Sequence, residues 1–329
     1  MRILLTGGSG FIGTNLVDRL RANHQILDLS HRPPLNLENM PFWRETDILD
    51  QKTVQLRFRE FQPEIVIHLA ARAECDECTT IEKGYRVNTD GTSHVLKAIC
   101  ETRSVRRTII TSSQFVCGPG RLPRGDDDYF PVTVYGASKV ITEELTRRAN
   151  LPCPWTIIRP TNIWGPWHER YSREFWRIVA QGLYVHPAGA PVVRCYGYIG
   201  TVMDQIENLL NIPAEEVNGK TLYVGDAADD IYLWANAFCL ALTGRRAPRV
   251  PRTVLRTAGL VGDLITTLSG KPFYITSSRY RSMVSEYLAP MEPTFDILGR
   301  PARVLDKNVQ ETVSWLRSKG PSEFSNTAR

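Results

Sequence analysis

The chain carries, close to its first residue, the sequence Thr6-Gly7-Gly8-Ser9-Gly10-Phe11-Ile12-Gly13. A short β-rich run, 2–5, precedes it, and a run with helical periodicity follows it. Gly7 permits a tight turn, Gly10 lets the backbone approach a pyrophosphate, and Gly13 lets the helix pack on the strand. The N–H groups at the start of that helix then face the phosphates. This strand–turn–helix pattern predicts a dinucleotide-binding site.

The second β-rich run, 25–29, carries an acidic side chain near its end. Asp28 lies about 20 residues after the glycines, where a dinucleotide-binding fold places its ribose acceptor. A carboxylate there would bond both hydroxyls of an unphosphorylated ribose and repel a 2′-phosphate, which favours NAD over NADP. His31 and Arg32 follow closely and could accommodate a phosphate, so NADP stays open. A capping or turn role for Asp28 is the alternative.

A tyrosine and a lysine stand four residues apart in the sequence Tyr135-Gly136-Ala137-Ser138-Lys139. On a helix this spacing places the phenol and the ammonium on one face, one turn apart. A neighbouring cation favours the phenolate, so we expect the pKa of Tyr135 to fall toward working pH. Such a tyrosine can take a proton from an alcohol while a hydride leaves the same carbon. A chance pairing on an ordinary helix is the alternative interpretation.

β-Rich runs alternate with helical periods over the first half of the chain. The helical periods lie near 51–60, 80–101 and 134–149, and the β-rich runs lie at 2–5, 25–29, 44–48, 65–70, 107–112 and 155–159. The alternation predicts an α/β fold with a Rossmann-type, doubly wound parallel sheet. Right-handed crossovers place the strand carboxyl ends on one edge. The glycine turn, Asp28, the segment after Ala70, Ser113 and the start of the Tyr135 helix should meet there.

The alternation breaks after residue 160, which predicts a division of the chain. Residues 1–160 form the predicted NAD-binding Rossmann domain with the Ser/Tyr/Lys set. Residues 161–318 form a smaller, mixed α/β, substrate-binding lobe, from which a strand near 220–224 returns to the sheet. Residues 319–329 are predicted to be a loose tail.

Composition favours a cytoplasmic enzyme with a small-molecule substrate. The 329 residues are 42% hydrophobic and 23% charged, which allows a sizeable core. No apolar run reaches the 18 or more residues of a membrane span, and no signal-peptide pattern is present. The net charge of +5 is spread along the chain, so neither nucleic acid nor a membrane is an expected partner.

Seven cysteines form no regular framework. Cys75 and Cys78 have C-x-x-C spacing, but no second pair or histidine cluster completes a metal site. We therefore expect no metal and interpret the thiols as incidental in a reducing compartment.

Taken together, these motifs resemble the extended short-chain dehydrogenase/reductase family, particularly its nucleotide-sugar epimerases and reductases. The resemblance extends to about residue 316 and rests on Thr6 to Gly13, Asp47-Ile48, His68-Leu69-Ala70-Ala71, Asn88, Ser112-Ser113, Tyr135-x-x-x-Lys139 and Arg159-Pro160-x-Asn162.

The resemblance implies roles for individual residues. Ser113 orients the substrate oxygen beside Tyr135, and Lys139 lowers the pKa of Tyr135 and can also bond the nicotinamide ribose. The implied cofactor contacts are Gly7, Gly10, Phe11, Ile12, Gly13, Asp28, Asp47 and Ile48 (adenine), Leu69, Ala70 and Ala71 (phosphates and ribose), Asn88 (behind the lysine), Ser112, Tyr135 and Lys139. The implied substrate contacts are Ser113, Gln114, Asn162 at the pyrophosphate, and Arg194 and Arg279 at the diphosphate and nucleotide. It also implies a homodimer formed through a four-helix bundle that includes the Tyr135 helix.

Departures from the family pattern narrow the chemistry. Related dehydratases carry an acid–base carboxylate pair where this chain has Gln114 and Phe115, so water elimination is not expected. A related epimerase–reductase type carries cysteine at the position of Phe115, which argues against double epimerisation. Cys117 replaces the family's usual tyrosine, with no consequence that we derive.

The leading prediction is an NAD-dependent nucleotide-sugar 4-epimerase that acts through a transient keto intermediate. Alternatives are a nucleotide-sugar 4-ketoreductase using NAD(P)H, a dehydrogenase for a sterol or other non-sugar alcohol, and a non-catalytic NAD-binding protein. An aromatic and basic cluster could either stack the substrate or form a packed lid; it comprises Trp164, Trp167, His168, Arg170, Tyr171 and Arg173.

Overall fold

The computed structural model describes residues 1–270 and 273–318, so the predicted tail at 319–329 lies outside the described residues. The chain divides into two compact units. Unit 1 comprises Met1–Trp167, Gly197–Asp226 and Ala289–Pro301. Unit 2 comprises His168–Tyr196, Ala227–Leu288 and the segment from Ala302 onward.

Regular elements fill most of the described chain. The strands are β1 (Arg2–Thr6), β2 (Gln25–Ser30), β3 (Trp43–Glu45), β4 (Ile65–His68), β5 (Arg107–Thr111), β6 (Trp155–Pro160), β7 (Asn162–Trp164), β8 (His186–Pro187), β9 (Val193–Tyr198), β10 (Thr221–Val224), β11 (Ala228–Asp230) and β12 (Arg249–Val250). The helices are α1 (Phe11–Leu20), α2 (Gln51–Phe61), α3 (Ile81–Gly84), α4 (Thr92–Glu101), α5 (Val134–Arg148), α6 (Glu169–Tyr171), α7 (Arg177–Ala180), α8 (Ile199–Asn211), α9 (Ile231–Thr243), α10 (Arg252–Ser269), α11 (Ser277–Val284), α12 (Glu292–Leu298) and α13 (Leu305–Ser318).

Unit 1 is built on a seven-stranded sheet with the order β10-β6-β5-β4-β1-β2-β3, in which all neighbours are parallel. The order reverses direction at β1, as in a doubly wound sheet. The prediction of a Rossmann-type α/β fold is confirmed. Strand β4 is buried along its whole length, as expected of a strand covered on both faces.

The single helix predicted near 80–101 is interrupted. The structure has α3, then a π-helical turn at Val87–Gly91, and then α4. The carbonyl of Asn88 in this turn accepts hydrogen bonds from the side chains of Thr92 (2.8 Å) and Thr142 (2.7 Å). The turn therefore anchors α4 to α5, a contact between distant residues that helical periodicity does not reveal.

Unit 2 contains short strand pairs and an aromatic core. Strand β11 pairs antiparallel with β9, and β12 pairs parallel with β8. Trp176, Trp234 and Phe238 are buried. The ring centroid of Phe238 lies 5.7 Å from that of Trp176 and 5.1 Å from that of Trp234. No helix among the described residues is long and apolar enough to span a bilayer.

Candidate active site

The glycine turn between β1 and α1 is closely packed. Gly7 has φ +78°, and a Cβ at this residue would lie 2.6 Å from the backbone nitrogen of Ala70. A Cβ at Gly13 would lie 2.2 Å from the carbonyl oxygen of Gly7. Gly10 stands at the N-cap of α1 and carries no side chain to accept the N–H groups of the first turn. Positions 7 and 13 therefore require glycine for steric reasons. The unpaired N–H groups at the start of α1 can bind an anionic group.

Asp28 is buried beneath this turn. Its carboxylate accepts hydrogen bonds from the Gly8 backbone N–H (2.8 Å), the Ser9 hydroxyl (3.1 Å) and the Ser30 hydroxyl (2.6 Å). Burial raises the pKa of Asp28, and these hydrogen bonds offset part of that rise. Asp28 is only 2% exposed, and its hydrogen bonds to Gly8 and Ser9 stabilise the glycine turn. Its contact with a ribose stays a prediction.

Ser113 and Tyr135 are brought together by a short turn after β5. The hydroxyl of Tyr135 is hydrogen-bonded to Ser113, whose own hydroxyl accepts from the backbone N–H of Phe115 at 3.2 Å. A Cβ added at Gly136 would lie 2.3 Å from the carbonyl oxygen of Phe115. Gly136 therefore lets the start of α5 approach the Ser113 turn closely enough for the two hydroxyls to meet.

The electrostatics of Tyr135 differ from the expectation. Burial raises the pKa of Tyr135 to about 12, and the hydrogen bond with Ser113 offsets only part of this. Loss of hydration of the phenolate is the largest cause, because the ring is 8% exposed, and the nearby Cys75 and Tyr85 raise the pKa further. The prediction that the pKa of Tyr135 is lowered is therefore wrong for this structure.

Lys139 lies one turn along α5 and points into the sheet. Its Nζ donates a hydrogen bond to the carbonyl oxygen of Thr111, at the end of β5, at 2.7 Å. Burial lowers the pKa of Lys139 to about 8, and the carboxylate of Glu143 offsets part of this effect. The ammonium is thus held at the same sheet edge as Ser113.

A pH dependence of stability follows from Lys139. Its pKa is near 8 in the folded chain and about 10.4 in the unfolded chain, so between these values the unfolded chain binds more protons. The buried charge therefore destabilises the fold fully below about pH 8, and the penalty disappears as the pH rises through this window. We expect the difference in unfolding free energy between the parent protein and Lys139→Met to change by about 2 kcal/mol between about pH 7 and pH 10. Urea denaturation of both proteins measures it, and a difference independent of pH would contradict it.

Buried polar side chains connect the glycine turn to α4. The hydroxyl of Thr6 and Nδ1 of His68 are hydrogen-bonded at 2.6 Å, and Nε2 of His68 is hydrogen-bonded to the hydroxyl of Thr92 at 3.0 Å. Burial and the positive charge of Lys139 lower the pKa of His68 to about 3, so this imidazole stays neutral. It links β1, β4 and α4 without adding charge to the site.

The network of buried hydrogen bonds continues to α5, which carries Tyr135 and Lys139. The Asn88 side chain donates to the hydroxyl of Ser138 at 2.8 Å, and that hydroxyl donates to the carbonyl oxygen of Tyr135 at 2.7 Å. Asn88 also bonds the backbone of Arg72, through its Oδ1 at 2.8 Å and its Nδ2 at 3.1 Å. Asn88 thus fixes the segment after β4 and the start of α5 relative to each other.

A buried ion pair holds α5 against the sheet. Glu143 and Arg159 form two hydrogen bonds, Nε to Oε1 at 2.7 Å and Nη2 to Oε2 at 2.8 Å, and both side chains are almost wholly buried. The hydroxyl of Tyr129 donates to the Glu143 carboxylate at 3.0 Å, and Arg159 donates to the hydroxyl of Tyr223 at 2.9 Å. The sequence motif included Arg159 but did not reveal its partner.

Residues 3–197 match the model of the NAD dependent epimerase/dehydratase family. The chain belongs to this family. It is 27% identical over 294 residues to the N-acetyl-alpha-D-glucosaminyl-diphospho-ditrans,octacis-undecaprenol 4-epimerase of Escherichia coli O157:H7, covering 85% of this chain and 84% of that protein. It is 25% identical over 358 residues to human short-chain dehydrogenase/reductase family 42E member 1, covering 98% and 89%.

A solved structure of the same fold is that of the UDP-glucuronic acid 4-epimerase from Bacillus cereus in complex with UDP-glucuronic acid and NAD. It matches this chain with a TM-score of 0.73 at 19% identity, over 97% of this chain and 100% of that one. The family assignment confirms the predicted extended short-chain dehydrogenase/reductase and identifies the chain as an NAD-dependent enzyme of that type.

The residues present suit the family's cofactor, NAD. The predicted contact residues follow the carboxyl ends of neighbouring parallel strands: the glycine turn follows β1, Asp47 and Ile48 follow β3, Leu69 to Ala71 follow β4, and Ser112 follows β5. Asp47 is exposed, and its carboxylate accepts from the backbone N–H of Leu49 at 2.9 Å, whereas Ile48 is buried beneath Gly91. Their individual contacts with the cofactor stay predictions.

The predicted substrate residues fall in different units. In unit 1, Gln114 is buried beside Ser113, and Asn162 follows β6 at the same sheet edge. In unit 2, the guanidinium of Arg194 donates to the carbonyl oxygens of Ser285, at 2.8 Å, and Ser282.

Arg279 is exposed on α11, and its Nη1 donates to the carbonyl oxygen of Tyr274 at 3.3 Å. The predicted diphosphate and nucleotide contacts of Arg194 and Arg279 stay predictions. Both arginines also stabilise unit 2 internally.

The cluster after Asn162 is partly a packing feature. In unit 2, His168 stacks on Tyr171 with ring centroids 4.3 Å apart, and Tyr171 packs against Trp234 at 5.9 Å. Burial lowers the pKa of His168 to about 4, so it carries no charge near neutral pH. Trp164, in unit 1, packs against Tyr198 at 5.0 Å. The side chain of Arg173 lies outside the part of the chain that the structure describes.

In residues 1–270 and 273–318, no group of three or more potential metal ligands converges. Cys75 and Cys78 are exposed and form no disulfide.

Proposed function

We propose that the protein is an NAD-dependent nucleotide-sugar 4-epimerase. The observation that carries the proposal is the hydrogen-bonded pair Ser113–Tyr135, with Lys139 one turn away on α5, at the sheet edge that carries the glycine turn. This arrangement supplies an acid–base group and an oxygen-orienting hydroxyl for a single carbinol.

The chemistry divides between the cofactor and the chain. The chemistry that NAD would supply when bound is the reversible acceptance of a hydride from the sugar carbon. Tyr135 takes the proton of the 4-hydroxyl and later gives it back, while Ser113 holds the oxygen and Lys139 provides positive charge near it. Because the phenol is buried, the charge around it must lower its pKa for this step, and Lys139 is the cation that α5 supplies.

The identity of the neighbouring residues separates epimerisation from elimination. Gln114 is buried and Phe115 packs its ring edge-on against Tyr135 at 5.7 Å. Neither side chain exchanges protons near neutral pH, so the positions beside Ser113 lack an acid–base pair for water removal. The keto sugar is therefore reduced again and not dehydrated.

The substrate class rests on the predicted contacts and on relatives. Gln114 and Asn162 would contact the sugar and the pyrophosphate, and Arg194 and Arg279 the diphosphate and nucleotide. The Bacillus cereus protein of the same fold binds UDP-glucuronic acid. The Escherichia coli relative is named for 4-epimerisation of a sugar joined through a diphosphate to undecaprenol, so it supports reaction at position 4 and not the nucleotide. A homodimer formed through α5 and a cytoplasmic location complete the proposal.

The test follows both cofactor and label. We expect the purified protein to retain NAD, detected by mass spectrometry, and to convert a UDP- or dTDP-hexose deuterated at carbon 4 into its C4 epimer. The deuterium should stay in the product without net use of reduced cofactor. Failure to form the C4 epimer from any such hexose would contradict the proposal.

A specific observation favours one second candidate, a nucleotide-sugar 4-ketoreductase using NADPH. The Asp28 carboxylate, which would repel a 2′-phosphate, is occupied by Gly8, Ser9 and Ser30. Arg32, just beyond β2, is exposed and could pair with that phosphate. In the same assay this enzyme would form no C4 epimer; supplied with NADP⁺, it would transfer the deuterium to the cofactor and form one reduced cofactor and one 4-keto sugar per turnover.

A further inference from the structure

Helix α10 (Arg252–Ser269) has an unusual distribution of side chains. Leu255 is buried, but the six other large aliphatic residues are exposed and share one face: Val254, Leu260, Val261, Leu264, Ile265 and Leu268. Leu264 is 60% exposed and Leu268 is 79% exposed. Single exposed leucines are common on protein surfaces, but a continuous exposed row marks an interaction site. This set is called the aliphatic stripe below.

The opposite face of α10 explains why the stripe points outward. Gly259 and Gly262 lie on that face and are buried against the segment that leads into α11. A Cβ at Gly262 would lie 1.8 Å from the carbonyl oxygen of Ile275, and one at Gly259 would lie 3.1 Å from the nitrogen of Ser277. Glycine is required for this approach at position 262, and the close packing of this face against the segment before α11 leaves the leucines on the outer face.

The chain segment that contains the stripe is strongly basic. Residues 244–285 contain seven arginines and one lysine against a single acidic residue, Asp263, which gives a formal net charge of +7. The Asp263 carboxylate is occupied by the backbone N–H of Ser277 at 3.1 Å. Among the arginines, Arg245, Arg246 and Arg256 are exposed beside or on α10.

In contrast to the expectation from the net charge of the whole chain, which was no membrane partner, we propose that this face of unit 2 binds the surface of an anionic phospholipid bilayer, with α10 lying in the plane of the interface. Exposed aliphatic side chains enter the boundary between headgroups and acyl chains, and flanking arginines attract anionic headgroups. The aliphatic stripe belongs to unit 2, the proposed catalytic residues belong to unit 1, and the inference does not depend on the proposed reaction.

Charge also argues against a second copy as the occupant. A twofold dimer would place the same patch on both sides of the interface, so the cations of one copy would face those of the other. Like charges in such an arrangement oppose association, whereas an anionic bilayer neutralises them.

Vesicle co-sedimentation of the full chain tests the inference. We expect the protein to bind vesicles that contain phosphatidylglycerol, to bind pure phosphatidylcholine vesicles at least tenfold more weakly, and to lose binding at high salt. The double variant Leu264→Gln/Leu268→Gln should weaken binding at least tenfold. Each of Arg245→Gln, Arg246→Gln and Arg256→Gln should weaken it by about fivefold.

Matched control variants come from α2 in unit 1. Leu56→Gln and Arg59→Gln change an exposed leucine and an exposed arginine on an ordinary surface helix and should leave vesicle binding unchanged. Circular dichroism confirms that each variant is folded. The inference is overturned if the parent protein does not bind the anionic vesicles, or if the α2 variants weaken binding as much as the stripe variants. It is also overturned if light scattering shows a dimer that the stripe variants dissociate.

Discussion

Tyr135→Phe is expected to lower kcat by about 10²–10⁴-fold while leaving the fold and NAD binding nearly unchanged. The substitution removes only the hydroxyl that is hydrogen-bonded to Ser113. The ring keeps its contacts with Phe115 at 5.7 Å and Tyr85 at 6.3 Å. Proton transfer to and from the sugar hydroxyl then lacks its acid–base group. Steady-state kinetics and calorimetric titration with NAD measure the two effects separately.

Tyr85→Phe is the matched control for this prediction. Tyr85 is buried next to Tyr135, but its hydroxyl donates to the carbonyl oxygen of Glu74 and accepts from the backbone N–H of Asp76. Its loss should reduce stability slightly and leave kcat within a fewfold of the parent value. Near-normal turnover in Tyr135→Phe would show that another group performs the proton transfer.

Glu143→Gln is expected to destabilise unit 1 by about 3–5 kcal/mol. The substitution removes the carboxylate partner of Arg159, and only 1% of the arginine side chain is exposed to water. In the parent protein the carboxylate of Glu143 raises the pKa of Arg159 against the effect of burial. Without it the guanidinium still keeps its proton, because arginine is not deprotonated in proteins. A buried, uncompensated charge is more costly than the loss of the hydrogen bonds alone.

The adjacent residue provides the control. Glu144 pairs with the exposed Arg148 at 3.3 Å, and Glu144→Gln should change the unfolding free energy by less than about 1 kcal/mol. Urea denaturation compares the two variants. In a double-mutant cycle, Glu143→Gln combined with Arg159→Met should be less destabilised than the sum of the single variants. Equal effects of Glu143→Gln and Glu144→Gln would mean that the buried pair does not hold α5.

The parts of the fold that depend on local pattern were predictable from the sequence. The glycines of the turn, the buried run of β4 and the periodicity of α5 each reflect a requirement on a few consecutive residues. Because parallel strands bring their carboxyl ends to one edge, these local predictions also placed Ser113, Tyr135 and Lys139 together. The structure has them there, with Ser113 and Tyr135 in hydrogen-bond contact.

Predictions that depend on burial were less accurate. Spacing placed Asp28 near a ribose, but its depth beneath Gly8 is set by the register of β2 against β1, in which Leu5 is paired with Asp28. The direction of the pKa shift of Tyr135 likewise depends on how much water the fold excludes, which sequence spacing does not report.

Contacts between distant residues were not predictable from pattern. His68 joins β1 to α4, and Glu143 on α5 pairs with Arg159 on β6, each through partners that only the folded sheet brings together. The aliphatic stripe of α10 was missed because its periodicity resembles that of a helix with a buried apolar face. Gly259 and Gly262 were the available signal that the buried face is the opposite one.

Rapid mixing of the NAD-loaded protein with UDP- and dTDP-hexoses tests the central claim most directly, because the absorbance of reduced nicotinamide reports the first hydride transfer. The account predicts a transient rise in this absorbance in the parent protein with at least one of these sugars, and none in Tyr135→Phe. No rise with any nucleotide sugar that binds, or an equal rise in Tyr135→Phe, would contradict it.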